Sequence, residues 1–354
     1  MHRTLTILLW WLCIPLSTGT ALALLLFPST LSEEIHTFQE GVVMAAREIL
    51  PGEESTSVLF VGDMMFDRGV ARRASEYSYE WLLTDVADLF TESDVVVGNL
   101  EGTITNESSI AQKDNSVLRF TFDPAVATLL QQYNFSAVSL ANNHSLDFKE
   151  SGYTATKNYL SEAGIAYFGS AVNSGGLSTV IEEGDDTICL VGYHDNFTFN
   201  ATPVLEEIER IKNGCTFVVL FAHWGEEYRT SETERQQSLA HAFVDAGVDL
   251  VIGAHPHVIE PIEIYKGKAI FYSLGNFIFD QYFSFNTTHG VAVRVLLSED
   301  EVAFEFFPVA IDYGKVTYAG SDASQKVMSL LIGDGISYLH AQSIQEERVF
   351  AIPR

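Results

Sequence analysis

The chain has 354 residues, 47% hydrophobic and 12% aromatic, which is enough apolar mass to offset the entropy of ordering and excludes a mostly disordered chain. Lys and Arg number 20 against 47 Asp and Glu, a net charge of −27; with no block of clustered basic residues, binding to a nucleic-acid backbone is excluded as well. At roughly 150 residues per domain, the length allows two domains or one large α/β domain with added elements.

From Leu5 to Phe27 no residue is charged, and at about 1.5 Å per residue that run can cross a hydrocarbon core of about 30 Å. Arg3 precedes it and Glu33 and Glu34 follow, so the positive-inside bias puts the bulk of the chain outside the cell. A cleaved signal peptide would carry a shorter apolar region ending at a small-x-small site, whereas L-A-L-L-L-F-P stays apolar up to Pro28. Residues 1–28 are therefore expected to be an uncleaved single-pass membrane anchor. Residues 29–55 read as a stalk, helical over Glu34 to Ile49 and ended by Pro51 and Gly52.

Beyond the stalk, five short apolar runs predict strands buried on both faces: 58–62, 95–98, 136–140, 216–221 and 249–253. Helical patterns lie between them at 81–90, 124–133, 152–163, 203–212 and 232–246. That alternation predicts an α/β layered domain. K-A-I-F-Y-S-L, H-G-V-A-V-R-V-L-L and E-V-A-F-E-F-F-P-V then follow without helices, which predicts antiparallel strands, and one more helix is expected at 326–332. The domain is taken as 56–320, with 321–354 a C-terminal extension packed on it. Cys189 and Cys215 sit in or beside strand-like segments and read as buried, unreactive thiols; a bridge between them would need an oxidising compartment, and spacing alone does not establish one.

Open α/β sheets hold ligands at the carboxyl ends of their strands. Each of the five predicted strands runs into metal-ligand chemistry: Asp63, then Glu101, then Asn143 with His144, then His223, then His255 and His257. Any single histidine at a strand end is more often a hydrogen-bonded structural residue. Five such ends in order point to a polynuclear site, because neutral imidazole with carboxylate is the ligand set that Zn, Fe and Mn accept.

The ordered series G-D, G-N-x-E, N-H, H-x-G and G-x-H-P-H resembles the calcineurin-like metallophosphoesterase pattern, in the form used by the CapA family of capsule, or poly-γ-glutamate, synthesis proteins. The likeness runs from Ser57 to Asp280 and is most specific in V-V-L-F-A-H-W-G-E-E-Y, D-A-G-V-D-L-V-I-G-A-H-P-H-V and I-F-Y-S-L-G-N-F-I-F-D-Q. It implies a layered sandwich of mixed sheets flanked by helices, preceded here by one transmembrane helix. It also implies two divalent metal ions, Mn, Zn or Fe, about 3.5–4 Å apart. Carried onto matching positions, Asp63 and His257 would hold one ion and Asn143, His223 and His255 the other, with Glu101 in the place of the bridging carboxylate. This chain departs from the parent pattern twice: Glu101 replaces an aspartate, and Met65 stands where a first-site histidine belongs.

The resemblance implies that His144 protonates the leaving group or stabilises charge on the substrate, with Asp147 as its orienting partner. Arg68 is expected to meet an anionic group of the substrate, with Glu226, Tyr228 and Asn276 around it; Asp280 resembles a family position too. His194 is near a strand end, while His36, His241, His289 and His340 lack ligand-type neighbours. Three functions follow: a membrane-tethered hydrolase or transferase on an anionic polymer, working beside a membrane polyglutamate synthetase; an extracytoplasmic phosphoesterase acting on a phosphate ester; or a metal-stabilised scaffold without catalysis.

Overall fold

A computed structural model describes residues 55–114, 116–195 and 200–354. The expected anchor, at 1–28, and all but the last residue of the expected stalk lie outside the described residues. Among those described, no helix is long and apolar enough to cross a membrane.

The fold begins with β1 (Thr56–Met64) and α1 (Arg68–Glu76), followed by single 3-10 turns at Glu80–Leu82 and Thr84–Val86 and by α2 (Ala87–Thr91). Next come β2 (Val95–Leu100), the short β3 (Thr103–Ile104) and β4 (Thr121–Phe122), α3 (Ala125–Gln132), β5 (Phe135–Ser139), α4 (Lys149–Glu162) and β6 (Ala166–Phe168). The chain continues through β7 (Ser178–Glu183), β8 (Asp186–His194), α5 (Thr202–Ile211), β9 (Phe217–His223), α6 (Glu234–Ala246) and β10 (Leu250–Ala254). Strands β11 (Ile259–Tyr265), β12 (Lys268–Leu274), β13 (Asn276–Ile278), β14 (His289–Leu297), β15 (Glu301–Asp312) and β16 (Lys315–Tyr318) follow without helices. Helices α7 (Ser321–Leu330) and α8 (Tyr338–Glu347) and strand β17 (Val349–Pro353) come last.

Most of these strands form two large sheets, while β3 and β4 pair with each other in a small one. The first runs β16-β15-β14-β1-β2-β5-β6, with β13 also paired to β1 and β17 to β15; the second runs β11-β12-β10-β9-β8-β7. Successive side chains of a strand point to opposite faces, and both faces here are covered. Val58 and Phe60 of β1 and Val97 of β2 meet Leu190, Phe221, Ile252 and Phe271 of the second sheet in a shared core. Leu59, Val61 and Val96 point the other way, toward Leu89, Phe90, Val126, Leu130 and Leu160 on the helical side. On the far side of the second sheet, Val218, Leu220 and Val251 pack against Val204 and Ile208 of α5 and Phe243 of α6. The result is a mixed α/β sandwich. The unalternating apolar runs in the sequence have this as their cause.

Two expectations need correction. The helix expected at 81–90 is broken into two 3-10 turns and the short α2. The Thr84 hydroxyl donates to the Glu80 and Trp81 carbonyls at 3.1 and 3.2 Å, a local competitor to the helical ladder. The five metal-bearing strands divide between the two sheets: β1, β2 and β5 belong to the first, β9 and β10 to the second. Finally, Cys189 and Cys215 are not free thiols but a disulfide with a Cα–Cα distance of 5.9 Å. Parallel pairing of β8 with β9 brings them within bridging reach, a proximity that a separation of 26 residues cannot disclose.

Candidate metal centre and adjoining cleft

The site forms where the carboxyl ends of both sheets meet. β1 reaches it through Gly62, where a Cβ would stand 1.9 Å from the Gly275 carbonyl oxygen; only glycine lets the strand pass so close. The next residue, Asp63, is fully buried. Its Oδ1 accepts from Asn99 Nδ2 at 2.7 Å and its Oδ2 from the His255 backbone N–H at 3.0 Å. Burial alone would raise its pKa, but the hydrogen bond and charge of His257, with those amides, hold the carboxylate below its ordinary value.

His255 and His257 lie just beyond β10 with left-handed backbone, φ +96° and +58°. Such conformations cost about 1–3 kcal/mol each and persist where surrounding contacts over-determine them. His257 Nδ1 is 3.2 Å from Asp63 Oδ2 and 3.0 Å from Asn276 Oδ1, so its Nε2 faces Glu101 Oε1 at 3.7 Å. Burial disfavours its charge, but Glu101 and Asp63 outweigh that and carry its pKa to about 9. His255 is held down at about 4, by burial first and by the charge of His257 second.

Glu101 is the most exceptional group. It is completely buried, and neither carboxylate oxygen has a hydrogen-bond partner, nor does His255 Nδ1. Burial, with Asp63 close by, pushes its pKa well above the usual carboxylate range against the opposing pull of His257. Two sets of ligand atoms gather within 4.8 Å of one another: Asp63, Glu101 and His257, and Glu227, His255 and His257.

His223, at the end of β9, completes the rim. Its Nε2 is 2.8 Å from Asn143 Oδ1, its Nδ1 is 3.2 Å from Asn99 Nδ2, and its ring centroid is 4.6 Å from that of His255. Burial, then the neighbouring histidines, hold it well below the ordinary imidazole pKa, so its neutral form is the ligand-competent one. His194 stands beside it, ring centroids 5.6 Å apart, with Nδ1 2.8 Å from the Ala171 carbonyl.

A cleft of about 290 Å³ opens over Glu101 and His257. His144 lines it, with Nδ1 2.8 Å from Asp147 Oδ2 and Nε2 3.8 Å from Glu101 Oε1. Asp147 Oδ2 also accepts the Phe120 N–H at 2.7 Å, and the Phe120 ring lies 4.3 Å from the imidazole, so the pair is fixed. Arg68, buried and left-handed at φ +49°, pairs with Asp280 and packs between Phe120 and Phe279, 4.8 and 5.7 Å from their centroids. Its Nε–H has no partner. Tyr228 forms another wall, its ring 6.2 Å from that of His257.

The structure thus brings Asp63, Glu101, Asn143, His144, Asp147, His223, His255, His257, Arg68 and Tyr228 to one place. Two expected substrate contacts fall elsewhere. Glu226 is 68% exposed at its side chain, 3.7 Å from Arg229, and its successor Glu227 lines the cleft instead. Asn276 is buried and bonded to His257, Gln281 and Thr287, so it orients a ligand rather than meeting substrate. Met65 is buried and accepts the Asp67 N–H at 3.0 Å. His241 pairs with Glu263 at 2.9 Å and stacks on Tyr265, outside the site. Sequence reasoning missed Asn99 and Asn142, although both stand inside the quoted motifs. Asn142 Nδ2 donates to Asn99 Oδ1 at 3.0 Å and to the Leu100 carbonyl at 2.9 Å, which locks the amide lying between Asp63 and His223.

The chain is similar to the PGA biosynthesis protein CapA of Bacillus subtilis (strain 168), 31% identical over 277 residues that span 73% of this chain and 72% of that one. It is also similar to the capsule biosynthesis protein CapA of Bacillus anthracis, 30% identical over 249 residues, 64% of this chain and 61% of that one. Among solved structures, a novel phosphatase from Mycoplasma pneumoniae aligns with a TM-score of 0.42 at 16% identity, covering 74% of this chain and 90% of that one. The model of the bacterial capsule synthesis protein family, PGA_cap, matches residues 57–281, a stretch that holds every residue of the centre, and the chain belongs to that family.

Proposed function

We propose that this chain is a membrane-anchored, extracytoplasmic, metal-dependent protein of capsule or poly-γ-glutamate synthesis that hydrolyses or transfers a bond in an anionic polymer or its linkage. The names of its relatives support the biosynthetic setting, and a probable polyglutamine synthesis accessory protein of Mycobacterium tuberculosis, 27% identical over 217 residues, supports an accessory part in polymer synthesis. The apolar run from Leu5 to Phe27 supports the anchor. The disulfide supports an oxidising compartment, where such bonds persist.

The observation that carries the metal reading is Glu101: neither oxygen of this buried carboxylate is hydrogen-bonded, the imidazoles of His257 and His144 standing off at 3.7 and 3.8 Å, an arrangement that is costly unless a cation fills the gap. The donor set fits two divalent ions of the Mn, Zn or Fe class. Asp63, Glu101 and His257 would hold one, and Asn143, His223 and His255 the other, with Glu227 at the shared edge. Bound ions of this kind polarise a substrate oxygen and lower the pKa of coordinated water.

The remaining groups have tasks of their own. His144, oriented through Nδ1 by Asp147, presents Nε2 to the cleft, where it can hold a proton and deliver it to a leaving group. Arg68 offers its free Nε–H to an anionic group, while Phe120 and Phe279 keep it from water. Metal analysis of the purified full-length protein tests the reading. Wild type and His241→Ala should hold at least one ion per chain and His255→Ala should lose one; less than one ion in wild type after equilibration with Mn²⁺ or Zn²⁺ sinks it. With metal present, release of glutamyl fragments from poly-γ-glutamate supports the polymer reaction, turnover of a generic phosphodiester lost in His144→Ala favours the phosphoesterase, and silence on both leaves a scaffold.

A further inference from the structure

We propose that the metal cleft opens into a cation-lined groove that holds an extended polycarboxylate chain; this rests on the polymer reading above. A chain of net charge −27 repels a polyanion at long range, so an acidic polymer needs a local reversal of sign. Most described cations are neutralised where they stand, as Arg210 is by Glu207, Arg235 by Asp195 and Lys266 by Asp245. Among the described residues, Arg72, Lys113, Arg119 and Lys149 are exposed and make no ion pair with a carboxylate.

Those four side chains are gathered. Arg72 and Lys113 line a depression of about 530 Å³, and Arg119 and Lys149 line one of about 280 Å³. The two share the lining residues Thr105, Asn106 and Glu107. The second comes near the metal cleft through Arg119, whose sequence neighbours Leu118 and Phe120 both line that cleft. Arg119 Nε donates to the Asp147 carbonyl at 3.2 Å, and the Asp147 carboxylate holds His144. The guanidinium also lies 5.0 Å over the Phe148 ring, which fixes its direction. Two carboxylates, Glu107 and Asp123, share the lining, and Asp123 is already engaged with the Ala125 N–H at 2.8 Å. Four cations in series beside a catalytic histidine suit a chain with repeating carboxylates, each of which Lys or Arg binds by charge-assisted hydrogen bonds. A single compact phosphate ester would need only the cleft.

The test is binding of a short fluorescent poly-γ-glutamate to the full-length, metal-loaded protein, at an ionic strength of about 0.01 M, where screening extends about 30 Å, and at about 0.1 M. Arg72→Gln, Lys113→Gln, Arg119→Gln and Lys149→Gln are each expected to weaken binding about three- to fivefold at low salt, together more than about fiftyfold, with a shallower salt dependence. Lys326→Gln and Arg348→Gln serve as controls: both cations are likewise unpaired, and neither lines the groove. They should change binding less than about twofold on the same scale. Equal losses in groove and control variants overturn the groove, as does a polyphosphate that binds as tightly and is lost in the same variants. Metal-loaded wild type that ignores poly-γ-glutamate at both salt concentrations overturns the polymer reading itself, which separates the two failures.

Discussion

Glu260, on β11, is fully buried, with Oε2 accepting from Gln236 Nε2 at 2.6 Å and Oε1 unpartnered. Burial raises its pKa from 4.5 to about 8, the Gln236 hydrogen bond opposing. The folded protein therefore binds a proton that the unfolded chain has released over the interval between those values. A carboxyl raised in this way contributes stability that is complete below the unfolded pKa and is lost as pH rises through the folded one. At about 1.4 kcal/mol per pH unit the loss comes to about 4–5 kcal/mol between pH 5 and 9. Glu260→Gln keeps an acceptor for Gln236, and with it the box in which Gln236 and Thr233 cap α6, but has no proton to lose. Urea denaturation at intervals from pH 5 to 9 should show variant and wild type drawing apart by most of that amount, the variant being the more stable at high pH. Parallel stability curves would refute the reasoning, because every other titrating group is common to both proteins.

His144→Ala should lower turnover of whichever substrate is found by about 10²–10⁴-fold, the usual worth of a placed general acid, with metal content unchanged by elemental analysis. Asp147→Asn, which can still accept the Phe120 N–H, should lower it less and shift the pH profile of the rate. Reducing the Cys189–Cys215 bond, or replacing both residues by Ser, should cost about 3 kcal/mol through freedom regained by the unfolded chain, read as a lower urea midpoint with an intact metal site. Gly62→Ala should destabilise by more than about 2 kcal/mol, since its methyl would meet the Gly275 carbonyl carbon and oxygen, which are backbone and cannot rotate away; thermal melting checks this.

Much of the fold was legible because its strands are buried on both faces. V-L-F-V-G and T-F-V-V-L-F have nowhere polar to turn, and the observed strands begin and end within about two residues of the apolar runs, the usual uncertainty of such boundaries. Helix α6 was equally plain, from its capping residue Thr233 to Gly247 at its end. The segment 81–90 misled because its apolar residues have helical spacing and are buried, yet Thr84 diverts its hydroxyl to nearby carbonyls and interrupts the ladder. In the centre, residue types and their order along the chain were readable: carboxylates, amides and imidazoles just past strand ends.

Composition and pattern by themselves determined an α/β chain with an acidic body, an apolar leading segment and a set of metal-type donors at successive strand ends, since these depend only on side-chain chemistry and short-range periodicity. Tertiary structure alone decided that the donors come from two sheets, that Glu227 rather than Glu226 turns inward, that Asn99 lies between Asp63 and His223, and that two distant cysteines are joined. Each of these is a matter of a few ångströms between residues far apart in the chain, or of the path of one loop, and neither leaves a trace in local sequence.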